Sequence, residues 1–200
     1  LHPRVRRQRQ MCIRDRGNTQ TLRTTNTYAM AVTALMTAVT CILAPLSIPL
    51  PFSPVPISLT NLVIFISVFI LGMKDATISF LIYLLLGAVG LPVFASFHAG
   101  LSVLAGPTGG YLIGFIFLAL IQGFAMKYFD RKLIPTIIGM LIGMAVCYIF
   151  GTVWLAKLMS LSFKEGLFMG VIPYLPGDAV KIIIAVIVGP KLYAATKKVR

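Results

Sequence analysis

The sequence predicts an all-α integral membrane protein, a bundle of six transmembrane helices with both termini in the cytoplasm. Three observations predict it. Of 200 residues, 58% are apolar and 12% charged, and the mean hydropathy of +0.93 is too high for an ordinary soluble domain. The apolar residues fall into six runs separated by prolines, glycines or charges, and lysine and arginine are shared very unequally between alternate connections. At about 20 residues per span, the chain beyond its first segment holds six helices and no soluble catalytic domain.

The elements run in order along the chain. Residues 1–27 are rich in Arg and Gln, lack apolar periodicity and look foreign to the apolar remainder of the chain. They read either as non-native sequence ahead of a start near Met11 or Met30, or as a disordered basic arm at the cytoplasmic membrane surface. A transit peptide would show a cleaner amphipathic face. The first run, 28–47, leads into Pro49, Pro51, Pro54 and Pro56, whose spacing forbids a continuing helix. The second run, 57–72, ends at Lys74 and Asp75, and the third, 76–89, ends at Gly90-Leu91-Pro92. An ordered connection carrying His98 and Gly106-Pro107-Thr108-Gly109-Gly110 precedes the fourth run, 111–126. The fifth covers 134–155 and the sixth 177–188, so the membrane domain is 28–196 and a basic cytoplasmic tail is 197–200.

The net charge of +13, from 18 Lys and Arg against 5 Asp and Glu, marks topology rather than nucleic acid. Seven of the cations lie before residue 28, and no nucleic-acid motif or aromatic interleaving accompanies them. With an even number of spans, fifteen cations fall on the side of both termini and only Lys157 and Lys164 on the other. Cys12, Cys41 and Cys147 are too scattered for a disulfide framework or a metal motif.

Lys181 belongs to neither side, because it lies within the sixth run, three residues after Asp178. On a helix that spacing puts both side chains on one face, where each offsets the other's charge. Ionisable groups inside a membrane domain are costly and mark function by default. The alternative is an internal salt bridge near the interface, with Lys181 snorkelling outward. Pro176 and Gly177 fit a helix start, with Asp178 favourable at its positive end. An ammonium for a carboxylate, beside an aspartate accepting from N–H groups, suits a small acid that bears N–H donors. The proline-rich connection and the one containing His98 open to the same extracellular side. Leu50, Phe52 and Val55 would then exclude water from a ligand, or else form an interfacial belt.

Other features read more plainly. Ala31, Ala34 and Ala38 form a small-residue face on the first span, suited to docking a partner subunit or to intramolecular packing, which from spacing alone is the commoner use. Gly139 and Gly143 in the fifth span fit internal packing. The glycine cluster at 106–110 lacks the Gly-Lys-Ser/Thr ending of a phosphate loop, so no ATPase is readable. His98 fits a loop hydrogen bond better than a metal site, Trp154 an interface anchor, and no catalytic constellation can be assembled.

Four ordered motifs closely resemble the BioY family, the biotin-binding S components of energy-coupling factor (ECF) transporters. They are Pro49-Leu50-Pro51-Phe52-Ser53-Pro54-Val55-Pro56-Ile57, Tyr83 to Ala95 through Gly87-Ala88-Val89-Gly90-Leu91-Pro92-Val93-Phe94, Gly106-Pro107-Thr108-Gly109-Gly110-Tyr111-Leu112, and Leu175-Pro176-Gly177-Asp178 with Lys181. The resemblance spans about 29–190. It implies a multi-pass protein of a bacterial-type inner (plasma) membrane, in contact with membrane lipid, that takes biotin as transported ligand with no cofactor. It also implies partners, namely a transmembrane coupling subunit and two cytoplasmic ATPases, which would supply the ATP hydrolysis that this chain does not. By position, Asp178 and Lys181 match the family's polar pair, taken to meet the ureido ring and the carboxylate of biotin. Ser58 stands where the family often has threonine, and Thr60 where it often has glutamine. Ser96 to His98 replaces a stretch that can supply an asparagine, Tyr111 is a pocket wall, and Ala34 with Ala38 matches the surface that docks on the coupling subunit. An S component for another small vitamin, or a membrane scaffold using Asp178 and Lys181 as a structural pair, are the alternatives.

Overall fold

The computed structural model describes residues 27–51 and 53–199, the last three as backbone only. The segment expected at 1–27 lies outside the described residues except for Thr27, as do Phe52 and the side chains of the 197–200 tail. Each apolar run becomes a helix: α1 Thr27–Leu43, α2 Thr60–Leu71, α3 Met73–Val89, then, after a short α4 Leu101–Ala105, α5 Gly109–Tyr128 and α6 Leu133–Met159. A short α7 Phe163–Gly170 precedes the last long helix, α8 Leu175–Val199. Three of them, α5, α6 and the Leu175–Thr196 stretch of α8, are long and apolar enough to cross a membrane. With 12 residues, α2 rises only about 18 Å, well short of a hydrocarbon core of about 30 Å.

The all-α expectation needs one correction. The proline-rich connection forms a two-stranded antiparallel hairpin, β1 Ser47–Leu50 and β2 Ser53–Ser58, pairing Ser47 with Ser58 and Ile48 with Ile57. Prolines cannot donate to a ladder, and a hairpin in which both strands are edges is where they are tolerated. A second difference is α7, opened by a capping box in which Ser162 and Glu165 bond each other's backbone N–H groups. A third is α8, which runs on through Pro190 beyond the expected end at 188. The ring removes one backbone hydrogen bond, a loss that packed membrane helices tolerate.

Two junctions fix the frame. Gly72, at φ 81°, turns α2 directly into α3, a conformation that favours glycine. The end of α2 is then capped from a distance, because Arg131 Nη1 donates to the Phe69 carbonyl at 2.6 Å while its guanidinium lies 3.8 Å from the centre of the Tyr193 ring. Between α5 and α6 the helices approach closely, as expected for Gly139 and Gly143: a Cβ on Gly143 would sit 3.1 Å from the Cα of Leu118.

α1 is built the other way round from a soluble helix. Its inward face is Thr33, Met36, Thr37 and Thr40, all buried. The threonine hydroxyls bond carbonyls one turn back, and Thr37 reaches Ser79 on α3 at 2.9 Å. Ala31, Ala34 and Ala38 are exposed. Intramolecular packing, the commoner reading of that small-residue face, is therefore overturned: the alanines point away from the bundle because the threonines need its interior for their hydrogen bonds.

Candidate functional site

A cavity of about 340 Å³ opens at the end of the bundle where α5 and α8 begin and α3 ends, at the small end of the range for small-molecule sites. Its polar side is built from three helices. Asp178 enters in the first turn of α8, its backbone N–H bonded to the Tyr174 carbonyl at 2.8 Å. Asp178 Oδ1 accepts from Asn61 Nδ2 on α2 at 2.7 Å and from Lys181 Nζ at 2.8 Å, while Oδ2 accepts from the Tyr148 hydroxyl on α6. Lys181 Nζ also donates to the Ser58 carbonyl at 2.7 Å. Its 8% exposure rules out outward snorkelling. Every strong polar atom of the pair is satisfied, which a buried ion pair requires if it is not to be a net loss.

The rest of the wall is apolar and aromatic, including Tyr83, Phe94, Leu112, Phe115 and Met144. Phe94 is fully buried, edge-on to Tyr83 at 5.6 Å between centroids. It seats on Gly87 so closely that a Cβ there would lie 2.2 Å from the Phe94 ring. The Tyr111 ring lies in the same way against Gly151, and its hydroxyl against Gly170.

The hairpin forms one side of the cavity through Pro49, Ser53, Pro54, Val55, Pro56 and Ser58. Two contacts fasten it. The Tyr174 hydroxyl, from the turn before α8, donates to the Val55 carbonyl and lies 2.8 Å from Ser53 Oγ. Burial pushes that hydroxyl above the ordinary tyrosine pKa, so it stays a protonated donor. On the other flank, Ser47 Oγ lies 2.9 Å from Ser96 Oγ and accepts from the Ser96 N–H at 2.8 Å.

All six residues expected to contact ligand line this one cavity: Ser58, Ser96, His98, Tyr111, Asp178 and Lys181. Their parts differ from the expectation in detail. Ser58 offers its carbonyl to Lys181, while its hydroxyl donates to Thr60 Oγ1 at 3.1 Å. The Ser96 hydroxyl is engaged with Ser47, in a turn where Ser96 has φ 57°. His98 Nδ1 lies 2.9 Å from the Ala95 carbonyl, the loop hydrogen bond expected of it. Trp154, expected as an interface anchor, donates to the Gly106 carbonyl at 3.0 Å and packs against Gly110, holding the glycine cluster at the start of α5. Sequence reasoning missed Asn61, Tyr148 and Tyr174. Asn61 had a readable signal as the one asparagine inside the apolar runs; the two tyrosines had none that set them apart from interfacial anchors.

The arrangement offers a carboxylate, an ammonium, an amide and a phenol at one end of an aromatic-walled cavity. It fits a small, mostly apolar molecule whose polar head both donates and accepts hydrogen bonds.

Comparison with known proteins places these residues in context. The model of the BioY family matches residues 17–198. A probable biotin transporter BioY of Pyrococcus horikoshii is 34% identical over 170 residues, covering 84% of this chain and 97% of that protein. The biotin transporter BioY of Rhizobium etli is 35% identical over 173 residues, covering 82% and 92%. A crystal structure of the S-component for biotin from an ECF-type ABC transporter superposes with a TM-score of 0.79 at 31% identity, covering 84% of this chain and 92% of that one.

Proposed function

The chain belongs to the BioY family, and from that premise we propose that it captures biotin in the cavity beneath the hairpin and serves as the substrate-specific subunit of an ECF-type vitamin transporter. The observation that carries this reading is the cluster of Asn61, Tyr148, Asp178 and Lys181 at one end of an otherwise apolar cavity. A cyclic urea carries N–H donors and a carbonyl acceptor side by side. Asp178 and Lys181, 2.8 Å apart, are complementary to it as they stand, the carboxylate accepting from the ring N–H and the ammonium donating to the ring carbonyl. The carboxylate of biotin lies at the far end of its acyl chain. Lys181 reaches it only by leaving Asp178, so both members of the pair read the ureido end, and the residues near Ser53, Ser96 and His98 receive the acid.

In this reading the membrane domain at 28–196 has six spans with both termini cytoplasmic, supported by the distribution of lysine and arginine. The cavity then opens outward in a multi-pass protein of the cell's inner membrane, with the 197–200 tail inside. Transport energy comes from two cytoplasmic ATPases acting through a transmembrane coupling subunit that docks on the exposed alanine face at Ala34 and Ala38. The chain itself performs no hydrolysis.

Calorimetry on the detergent-purified chain tests the assignment. Biotin is expected to bind tightly and thiamin and riboflavin not at all. Lys181→Ala is expected to lose binding of biotin and of its neutral carboxamide by the same factor. A folded protein that ignores biotin refutes the ligand; loss confined to the acid form refutes the orientation.

A further inference from the structure

A second cavity, of about 450 Å³, lies at the opposite end of the bundle, between the α2–α3 and α5–α6 corners. Lys74, Lys127 and Arg131 line it, with Met73, Met126 and a single carboxylate, Asp130. Asp75, the other acid at this end, lines a different cavity beside Tyr28 and Tyr193. The guanidinium of Arg131 is engaged with the Phe69 carbonyl and the Tyr193 ring. The ammonium groups of Lys74 and Lys127 make no hydrogen bond or ion pair among the described residues, where the one ion pair is Asp178 with Lys181. Three cations therefore face one carboxylate across a recess, a field that attracts an anion.

The neighbouring surface tells which anion. Phe124, Tyr128 and Phe129 are exposed beside Lys127 and in contact, Phe124 stacked on Tyr128 with centroids 6.0 Å apart and Phe129 edge-on to Tyr128 at 5.1 Å. An exposed aromatic cluster at the end of an apolar helix marks the depth of the lipid headgroups. From there Phe124, Leu120 and Phe117 continue as an exposed apolar ridge down α5, a track for an acyl chain that a soluble anion would leave unused. We infer that Lys74, Lys127 and Arg131 form a headgroup site for an anionic phospholipid, its phosphate in the recess and its chains along α5. Basic recesses between membrane helices are the known chemistry for such headgroups.

The test is native mass spectrometry of the full chain from mixed micelles holding equal phosphatidylglycerol and phosphatidylcholine, with inorganic phosphate as competitor. The chain is expected to retain phosphatidylglycerol preferentially. The variant Lys74→Gln/Lys127→Gln is expected to weaken retention roughly thirtyfold, from about fivefold per cation near a membrane surface. Lys191→Gln, which removes a charge at the same end but away from the recess, is expected to change nothing. Lys74→Arg/Lys127→Arg keeps the charge and is expected to keep the lipid, which separates loss of charge from loss of fold. Equal retention of both lipids, equal loss in Lys191→Gln, or displacement by millimolar phosphate would each overturn the proposal, the last in favour of a soluble anion.

Discussion

Neutralising the Asp178–Lys181 pair one partner at a time and then both together separates a ligand site from a structural ion pair. Removing one partner of a buried pair costs about 3–5 kcal/mol, because the survivor is left charged and uncompensated. The two singles are not equivalent here. In Lys181→Met the carboxylate keeps Asn61 and Tyr148 as donors, and hydrogen bonds to a charged group are worth about 1.5–3 kcal/mol each, so the loss should fall near the low end, about 3 kcal/mol. In Asp178→Asn the ammonium keeps the Ser58 carbonyl and at best a neutral amide oxygen where its counter-charge stood, and the loss should approach about 5 kcal/mol. The double variant leaves no buried charge and should return to within about 1 kcal/mol of the parent. For a chain of this size 1 kcal/mol shifts the melting temperature by about 2–4 °C, so in detergent without ligand the singles should melt about 6–20 °C lower and the double nearly at the parent temperature. Calorimetric titration then gives the second readout, in which all three variants lose biotin. A double variant that melts normally and still binds biotin as the parent does would refute the site. Singles that melt at the parent temperature would refute the coupling of the two charges.

Tyr174→Phe removes the hydroxyl that fastens the hairpin to the turn before α8; at about 1 kcal/mol per hydrogen bond, biotin dissociation measured by stopped flow should accelerate roughly fivefold to thirtyfold. Gly87→Ala pushes a methyl into the seat of Phe94, and unseating a buried phenylalanine should cost about 3 kcal/mol, seen as a lower melting temperature together with weakened biotin binding; an unchanged affinity would show that the ring does not shape the cavity. Ala38→Trp, on the exposed face of α1, should leave biotin binding by the isolated chain unchanged while abolishing co-purification of the coupling subunit, and retention of that subunit would move the docking surface elsewhere.

Hydropathy made the apolar helices legible, because a helix that meets lipid or a protein interior on every side must be apolar over most of its length. It could not show which face of α1 turns inward. Lipid and protein interior are both apolar, and the buried face here is the more polar one, carrying Thr33, Thr37 and Thr40. The two charges at 178 and 181 announced the site because nothing else in an apolar segment carries their desolvation cost. Tyr148 gave no such signal: a tyrosine in a membrane helix is ordinary, and its bond to Asp178 joins residues on different helices. The hairpin was half legible. Alternating prolines forbid a helix, but they say nothing of the register that pairs Ser47 with Ser58. In α7 the Ser162 to Glu165 spacing was a readable helix start within a segment too short and too polar for a hydropathy profile to register.

The outward alanines of α1 have an entropic consequence. Long side chains on a contact surface must each be frozen into one rotamer when a neighbour arrives, at up to about 2 kcal/mol apiece, whereas alanine has none to lose. A helix laid against Ala31, Ala34 and Ala38 meets a surface already in its final shape, and it leaves nothing to be reordered when it withdraws. Such a face favours contacts made and broken quickly over contacts that last.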